Sequence, residues 1–221
     1  MSLFAVLKED GSYAITQFGF ASLVILIILL LIGACFLSKS EKNVKLGIRK
    51  IAFSAVAIAL ALVTSMIKIF HLPFGGSITL FSMLFICLIG YWYGLRSGLM
   101  AAVAYGLLQM LIDPYFMTVP QILTDYVLAF GALGISGLFS DKPNGLTKGY
   151  ILGVTGRFLF SCLSGYIFFG EYAPEGVSPL FYTIAYNGSY IFTEAALTLV
   201  LINLPSVKNA FSTVKRIALQ Y

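Results

Sequence analysis

Residues Gln17–Leu37 read QFGFASLVILIILLLIGACFL, 21 positions without a single charge. An α-helix rises 1.5 Å per residue, so ~20 apolar residues cross the ~30 Å hydrocarbon core of a bilayer. A secretory signal would carry positive charge ahead of a shorter apolar core of ~7–15 residues. Here the run is longer and the basic cluster comes after it. The segment reads as a retained spanning helix, and the chain as an integral membrane protein.

Six further stretches, 51–70, 79–93, 97–113, 121–140, 149–170 and 181–204, are apolar enough to span. The pair 79–93 and 97–113 is short and divided only by Gly94-Leu95-Arg96. Of the 221 residues 59% are hydrophobic and 10% charged, against ~45–50% and ~25% in soluble domains. So few charges cannot coat a water-soluble surface. The expected fold is all-α: a six-helix core over 51–204, preceded by an N-terminal segment 1–38 with one extra transmembrane helix and a basic linker 39–50, and followed by a tail 205–221.

Charge placement sets the orientation. Lys39, Lys42, Lys45, Arg49 and Lys50 follow the first helix, Arg96 lies in the third connection, Lys142 and Lys148 in the fifth, and Lys208, Lys215 and Arg216 in the tail. These alternate connections hold 11 of the 14 basic residues. The opposite side carries Lys8 with Glu9, Asp10, Asp113, Glu171 and Glu175. The positive-inside rule then puts the N-terminus outside and the C-terminus in the cytoplasm, a parity that seven spans satisfy. The net charge of +5 is thereby a matter of topology, and no nucleic-acid partner is expected.

Several chemistries are poorly provided for. His71 is the one histidine, which leaves almost nothing for metal sites or histidine-dependent triads. Cys35, Cys87 and Cys162 lie 52 and 75 residues apart in apolar runs and read as buried small hydrophobes. No P-loop or nucleophile–base arrangement is present, so neither an ATP site nor catalysis is expected of this chain. No metal or cofactor is expected either.

Lys68, Asp125, Arg157 and Glu194 fall within the proposed spans. Lys68, near a helix end, can snorkel. The other three are harder to dismiss, because charges inside a bundle usually mark a ligand or ion route. Asn187 and Glu194, seven residues apart, share one helix face. Two readings stand: polar groups converging on an outward cavity, or a structural Asp125–Arg157 tie between helices. Around the last outer loop cluster Tyr166, Phe168, Phe169, Tyr172, Phe181, Tyr182, Tyr186, Tyr190 and Phe192. They read either as an interfacial belt or as ring faces for a flat cationic ligand. On the helix from Ile51, Ala55/Ala59 and Ala57/Ala61 are small-xxx-small pairs that permit close helix approach, within this chain or onto another membrane protein.

Three groups of motifs carry a resemblance. They are Gly75-Gly76-Ser77-Ile78-Thr79-Leu80 with Tyr93-Gly94-Leu95-Arg96-Ser97-Gly98; Gln121-Ile122-Leu123-Thr124-Asp125-Tyr126 continuing to Gly137-Leu138-Phe139; and Arg157-Phe158, Ser164-Gly165 and Phe168-Phe169-Gly170-Glu171-Tyr172-Ala173-Pro174-Glu175-Gly176, followed by Tyr182 and Tyr186-Asn187-Gly188. Together they resemble the thiamine-specific S-components of energy-coupling factor transporters, over residues 51–204. The resemblance implies a cell-membrane, multi-pass subunit that captures thiamine from outside. Its partners would be a transmembrane coupling subunit and two cytosolic ATPases.

It also implies roles. Asp125 would face the aminopyrimidine, with Tyr126 beside it and Arg157 near that acid. Gly165 and Phe169 would line the ring slot, Tyr182 and Asn187 would supply polar contacts, and Tyr115 an aromatic from the outer loop. Ser161 stands where the family often has histidine. Glu194 is added from its place on the Asn187 face, and Ala55/Ala59 match a surface that docks the coupling subunit. The alternatives are an S-component for a related vitamin or pyrimidine precursor, and a stand-alone structural or sensor protein.

Overall fold

The computed structural model describes residues 5–7, 13–18, 21, 22, 25, 44–115 and 118–219. The helix expected over 17–37 lies largely outside the described residues, as do Lys39 and Lys42. Ahead of it, β1 (Ala5–Leu7) pairs antiparallel with β2 (Tyr13–Ile15).

The first long helix, α1, runs Val44–Met66. It stops short of the expected 70. The Thr64 and Ser65 hydroxyls bond back to Leu60 O, Ala61 O and Leu62 O, a competing bond that weakens a helix end. The next residues form strand β3 (Lys68–His71), which pairs with β4 (Ser77–Thr79) around a turn containing Pro73, Gly75 and Gly76. Lys68 is therefore a strand residue and not a snorkelling helix end. Its ammonium meets Asp113 Oδ2 at 2.5 Å.

Helix α2 spans Ser82–Ile112 and folds back on itself at Gly94, whose φ of 80° is open to glycine but strained for other residues. The two arms then touch: a Cβ on Gly98 would lie 2.8 Å from the Gly90 Cα, and Tyr105 reaches back to Ser82. The break falls within the expected Gly94-Leu95-Arg96 divide. Against this elbow lies α3, a composite run over 119–139: α-helical at Val119–Ile122, π-helical at Leu123–Leu128, one α-turn at Ala129–Gly131 and 3-10 turns at Ala132–Phe139. Helix α4 covers Gly145–Phe168 and α5 covers Pro179–Asn203. A last helix, α6 (Pro205–Leu219), occupies what was expected to be a tail, bent 82° from α5.

Among the described residues, helices over Gly47–Met66, Ser82–Ile112, Pro120–Phe139 and Gly145–Phe168 are long and apolar enough to cross a membrane, and α5 with α6 makes a bent fifth. Met83, Ile86, Cys87, Ile89, Tyr105, Leu133, Tyr150 and Ile191 pack as the centre of the core. Cys87 and Cys162 are free thiols; Cys35 lies outside the described residues. Ile51, Val56, Leu60, Val63 and Met66 of α1 face outward, as lipid contact requires.

The basic connections gather at one end. Arg49 donates to Ile217 O at 3.5 Å, Lys208 to Asn144 Oδ1 at 2.7 Å, and Lys215 bonds Ser140 O while lying 4.1 Å over the Tyr91 ring. Phe211 and Val214 of α6 pack on the core, and Leu219 lies near Trp92 and the Gly94 elbow.

Candidate functional site

At the other end of the bundle the β3–β4 hairpin, the 113–115 loop, α3, α4 and α5 enclose a cavity of about 170 Å³. Asp125, Tyr126, Arg157, Ser161, Gly165, Phe169, Tyr182, Asn187 and Tyr115 all line it. Glu194, Ala55 and Ala59 do not.

Local backbone explains much of this convergence. Asp125 and Tyr126 sit in the π-helical stretch of α3, a widened turn that is common at functional sites. The Tyr126 carbonyl approaches α2 so closely that a Cβ on Gly106 would fall 1.9 Å from it, so only glycine fits there. The Tyr126 hydroxyl accepts from Tyr115 N at 2.9 Å and donates to Asp113 O at 3.1 Å, fixing the 113–115 loop. On α4, Arg157, Ser161 and Gly165 recur every fourth residue and so share a face. Phe169, just past the helix, stacks on Tyr115 with ring centroids 6.0 Å apart and planes 16° from parallel.

The Asp125–Arg157 tie, the second of the two readings, is not made as an ion pair among the described residues. Asp125 accepts from Gln121 Nε2 at 3.2 Å and feels Arg157 only at longer range. The Arg157 guanidinium lies 4.3 Å over the Phe130 ring, a cation–π contact. Asn187 is more heavily engaged than its expected role suggested. Its Nδ2 donates to Ser161 O (3.3 Å) and Thr183 O (3.0 Å), and its Oδ1 accepts from Tyr190 OH (2.8 Å). An amide has two donor and two acceptor positions, so one acceptor position remains for a ligand.

Glu194 lies behind the cavity lining, bonded to lining residues Thr79 and Ser82. It is 3% exposed, and its carboxylate accepts from Thr79 N (3.2 Å), Thr79 Oγ1 (2.6 Å), Ser82 Oγ (3.3 Å) and Met83 N (3.3 Å). It anchors the start of α2, where the helix dipole favours negative charge, and ties β4 to α5. Glu194→Gln turns one acceptor oxygen into a donor facing these donors. Hydrogen bonds to a charged group contribute ~1.5–3 kcal/mol, so the melting temperature in detergent should fall by roughly 3–10 °C. Ligand affinity should hold within a few-fold; a variant that melts normally would show that the carboxylate carries no such load.

The aromatic readings divide between residues. Tyr182, Tyr186 and Tyr190 line the cavity, with Tyr186–Tyr190 centroids 5.8 Å apart. Tyr166, Phe181 and Phe192 are exposed outward, as a belt would be. Tyr186 also accepts from Gly76 N at 2.9 Å and bonds Pro73 O, holding the hairpin to α5. Lys68, Asp113, Gln109, Gln121 and Phe130 line the cavity too, and no role was expected of them. Gln121 and Phe130 fall in or beside the quoted motif, which was their only signal. Among the described residues no cluster of His, Cys, Asp and Glu could hold a metal.

Residues 51–213 match the family described as Thiamine transporter protein. The chain is 32% identical over 183 residues to the thiamine transporter ThiT of Bacillus subtilis, spanning 75% of this chain and 93% of that protein. It is 27% identical over 97 residues to ThiT of Lacticaseibacillus paracasei, spanning 38% of this chain and 48% of that one. The solved structure of ThiT from Listeria monocytogenes superposes with a TM-score of 0.57 at 22% identity, covering 77% of this chain and 99% of that one, a likeness of fold.

Proposed function

Because this chain belongs to the thiamine transporter protein family, we propose that the cavity between the hairpin, α3, α4 and α5 is where thiamine is held. The chain is a multi-pass membrane transport protein and not an enzyme. It is the thiamine-binding subunit of an importer of the energy-coupling factor type. One observation carries the cavity assignment: every residue that lines it, from Ser65 to Tyr190, falls inside the family match at 51–213.

Asp125 takes the aminopyrimidine's amino group, with Tyr126 and Arg157 beside it. Gly165, Phe169 and Tyr115 enclose a ring, and Tyr182 and Asn187 add polar contacts. Ser161, smaller than histidine, leaves the stacking to Tyr115 and Phe169. The cavity faces outward and the basic end faces the cytoplasm. With the two arms of α2 counted separately, six helices form the core over 51–204, and the segment before it adds one more. A transmembrane coupling subunit and two cytosolic ATPases complete the importer, and Ala55 and Ala59, both exposed on α1, meet the coupling subunit.

Titration calorimetry of the purified protein with thiamine tests the assignment directly. Fluorescence locates the ligand. Trp92 is the single tryptophan, ten residues and about 15 Å of helix beyond cavity-lining Ser82. It packs edge-on against Phe53 at 6.0 Å. Thiamine should leave its emission nearly unchanged, whereas Phe169→Trp should give a strongly quenched reporter. Strong quenching of Trp92 itself would place the ligand at the wrong end.

A further inference from the structure

Among the described residues four charged side chains line the cavity, Lys68, Asp113, Asp125 and Arg157, and their formal charges cancel. Thiamine brings a fixed positive charge on its thiazolium ring. A cation entering a cavity that is already neutral would leave one charge unbalanced in a confined, partly desolvated site, which is unfavourable. Something must give way.

The pair free to do so is Lys68–Asp113. Its contact is short, 2.5 Å, yet the two side chains are 30% and 56% exposed, and ion pairs this open are held only a few-fold over their separated state. Lys68 stands on β3 at the cavity rim, and its four-carbon stem can carry the ammonium out to water. Asp125 is a poorer candidate, because it already has Gln121 as a donor and Arg157 within electrostatic reach. Asp113 also lies where a flat cation would be comfortable. Two residues on, Tyr115 stacks with Phe169, and the Tyr126 hydroxyl joins the Asp113 carbonyl to the Tyr115 amide. A thiazolium ring has no N–H to donate, so its needs are a nearby carboxylate and ring faces.

We propose that Asp113 is the counter-ion of the ligand's thiazolium, and that Lys68 occupies this place in the empty protein, so that binding exchanges a tethered ammonium for the ligand's cation. The inference rests on the reading that the cavity takes thiamine. It makes Lys68 an internal competitor for cations: the fraction of protein ready for a cationic ligand is the fraction in which Lys68 has left Asp113, and apparent affinity for such a ligand falls by that fraction.

The test is titration calorimetry on the full chain in detergent with two ligands, thiamine and an uncharged analogue in which a thiophene ring replaces the thiazolium. Lys68→Gln should bind thiamine about fivefold more tightly than the unsubstituted chain and the analogue no more tightly. Lys68→Arg, which keeps a cation in place, should show no such gain. Asp113→Asn should weaken thiamine at least about tenfold, change the analogue little, and erase the gain from Lys68→Gln when the two are combined. Should Asp113→Asn fail to fold, the Lys68 series against both ligands decides alone. The inference is overturned if the unsubstituted chain binds thiamine but Lys68→Gln binds it no better, or gains equally for the uncharged analogue. Failure of the unsubstituted chain to bind thiamine would instead overturn the functional reading, and this inference with it.

Discussion

Asp125→Asn is expected to lower thiamine affinity at least tenfold and up to about a hundredfold while the protein still folds. A carboxylate offers acceptor positions on both oxygens, so Asp125 can take the Gln121 amide, 3.2 Å away, and an amino group of the ligand together. Asparagine keeps the shape but presents a donor on one side. Either Gln121 or the ligand then faces a hydrogen where it needs a lone pair. Charge-assisted hydrogen bonds contribute ~1.5–3 kcal/mol, and each ~1.4 kcal/mol is tenfold in affinity. Folding should survive because Arg157 rests on Phe130 at 4.3 Å and does not lose an ion-pair partner. For the same reason, adding Arg157→Gln should not restore binding. Calorimetry on the folded single variant settles the matter. Near-normal affinity would mean that Asp125 serves only to hold Gln121.

The second large effect separates capture from uptake. Ala57 and Ala61 are buried at 2% and 0% exposure, whereas Ala55 and Ala59 lie exposed on the same helix. Ala55→Trp with Ala59→Trp should therefore leave the cavity intact and thiamine affinity within about twofold, since surface changes far from a site rarely disturb it. In cells the same protein should take up no thiamine above background, because bulky rings prevent the close helix approach that small residues allow. Radiolabelled uptake beside detergent-phase titration gives both numbers. If affinity and uptake fall together, the alanines serve the chain's own packing and the docking assignment is wrong.

How much of this was legible beforehand varied from residue to residue, for physical reasons. The reversal at Gly94 could be read because two apolar runs met at a glycine beside a charge. Convergence of α4 residues four apart followed from helical period alone. Lys68 was misread because a short, mostly apolar stretch such as Ile67-Lys68-Ile69-Phe70 reads alike as helix or strand; the turn with Pro73, Gly75 and Gly76 was the available hint. Glu194 was correctly set on the Asn187 face, but a period gives only direction around an axis. What that face meets, here the start of α2, is tertiary information. The missing Asp125–Arg157 ion pair has the same origin: two opposite charges within spans do not reveal that an aromatic ring has taken one of them. Nor did local pattern announce the π-helical stretch, which answers to the close approach of Gly106.

The bonds that hold the hairpin have an implication for how the chain is made. Thr79 meets Glu194 across 115 residues, and Gly76 meets Tyr186 across 110. At ribosomal speeds of about 5–20 residues per second, the hairpin waits roughly 6–23 s between its own synthesis and that of the helix it fastens to. Loop closure over such a distance is unfavourable until the intervening helices are in place. The nascent chain therefore reaches the membrane with this wall of the cavity unattached. Completion of α5 is what makes the cavity a cavity.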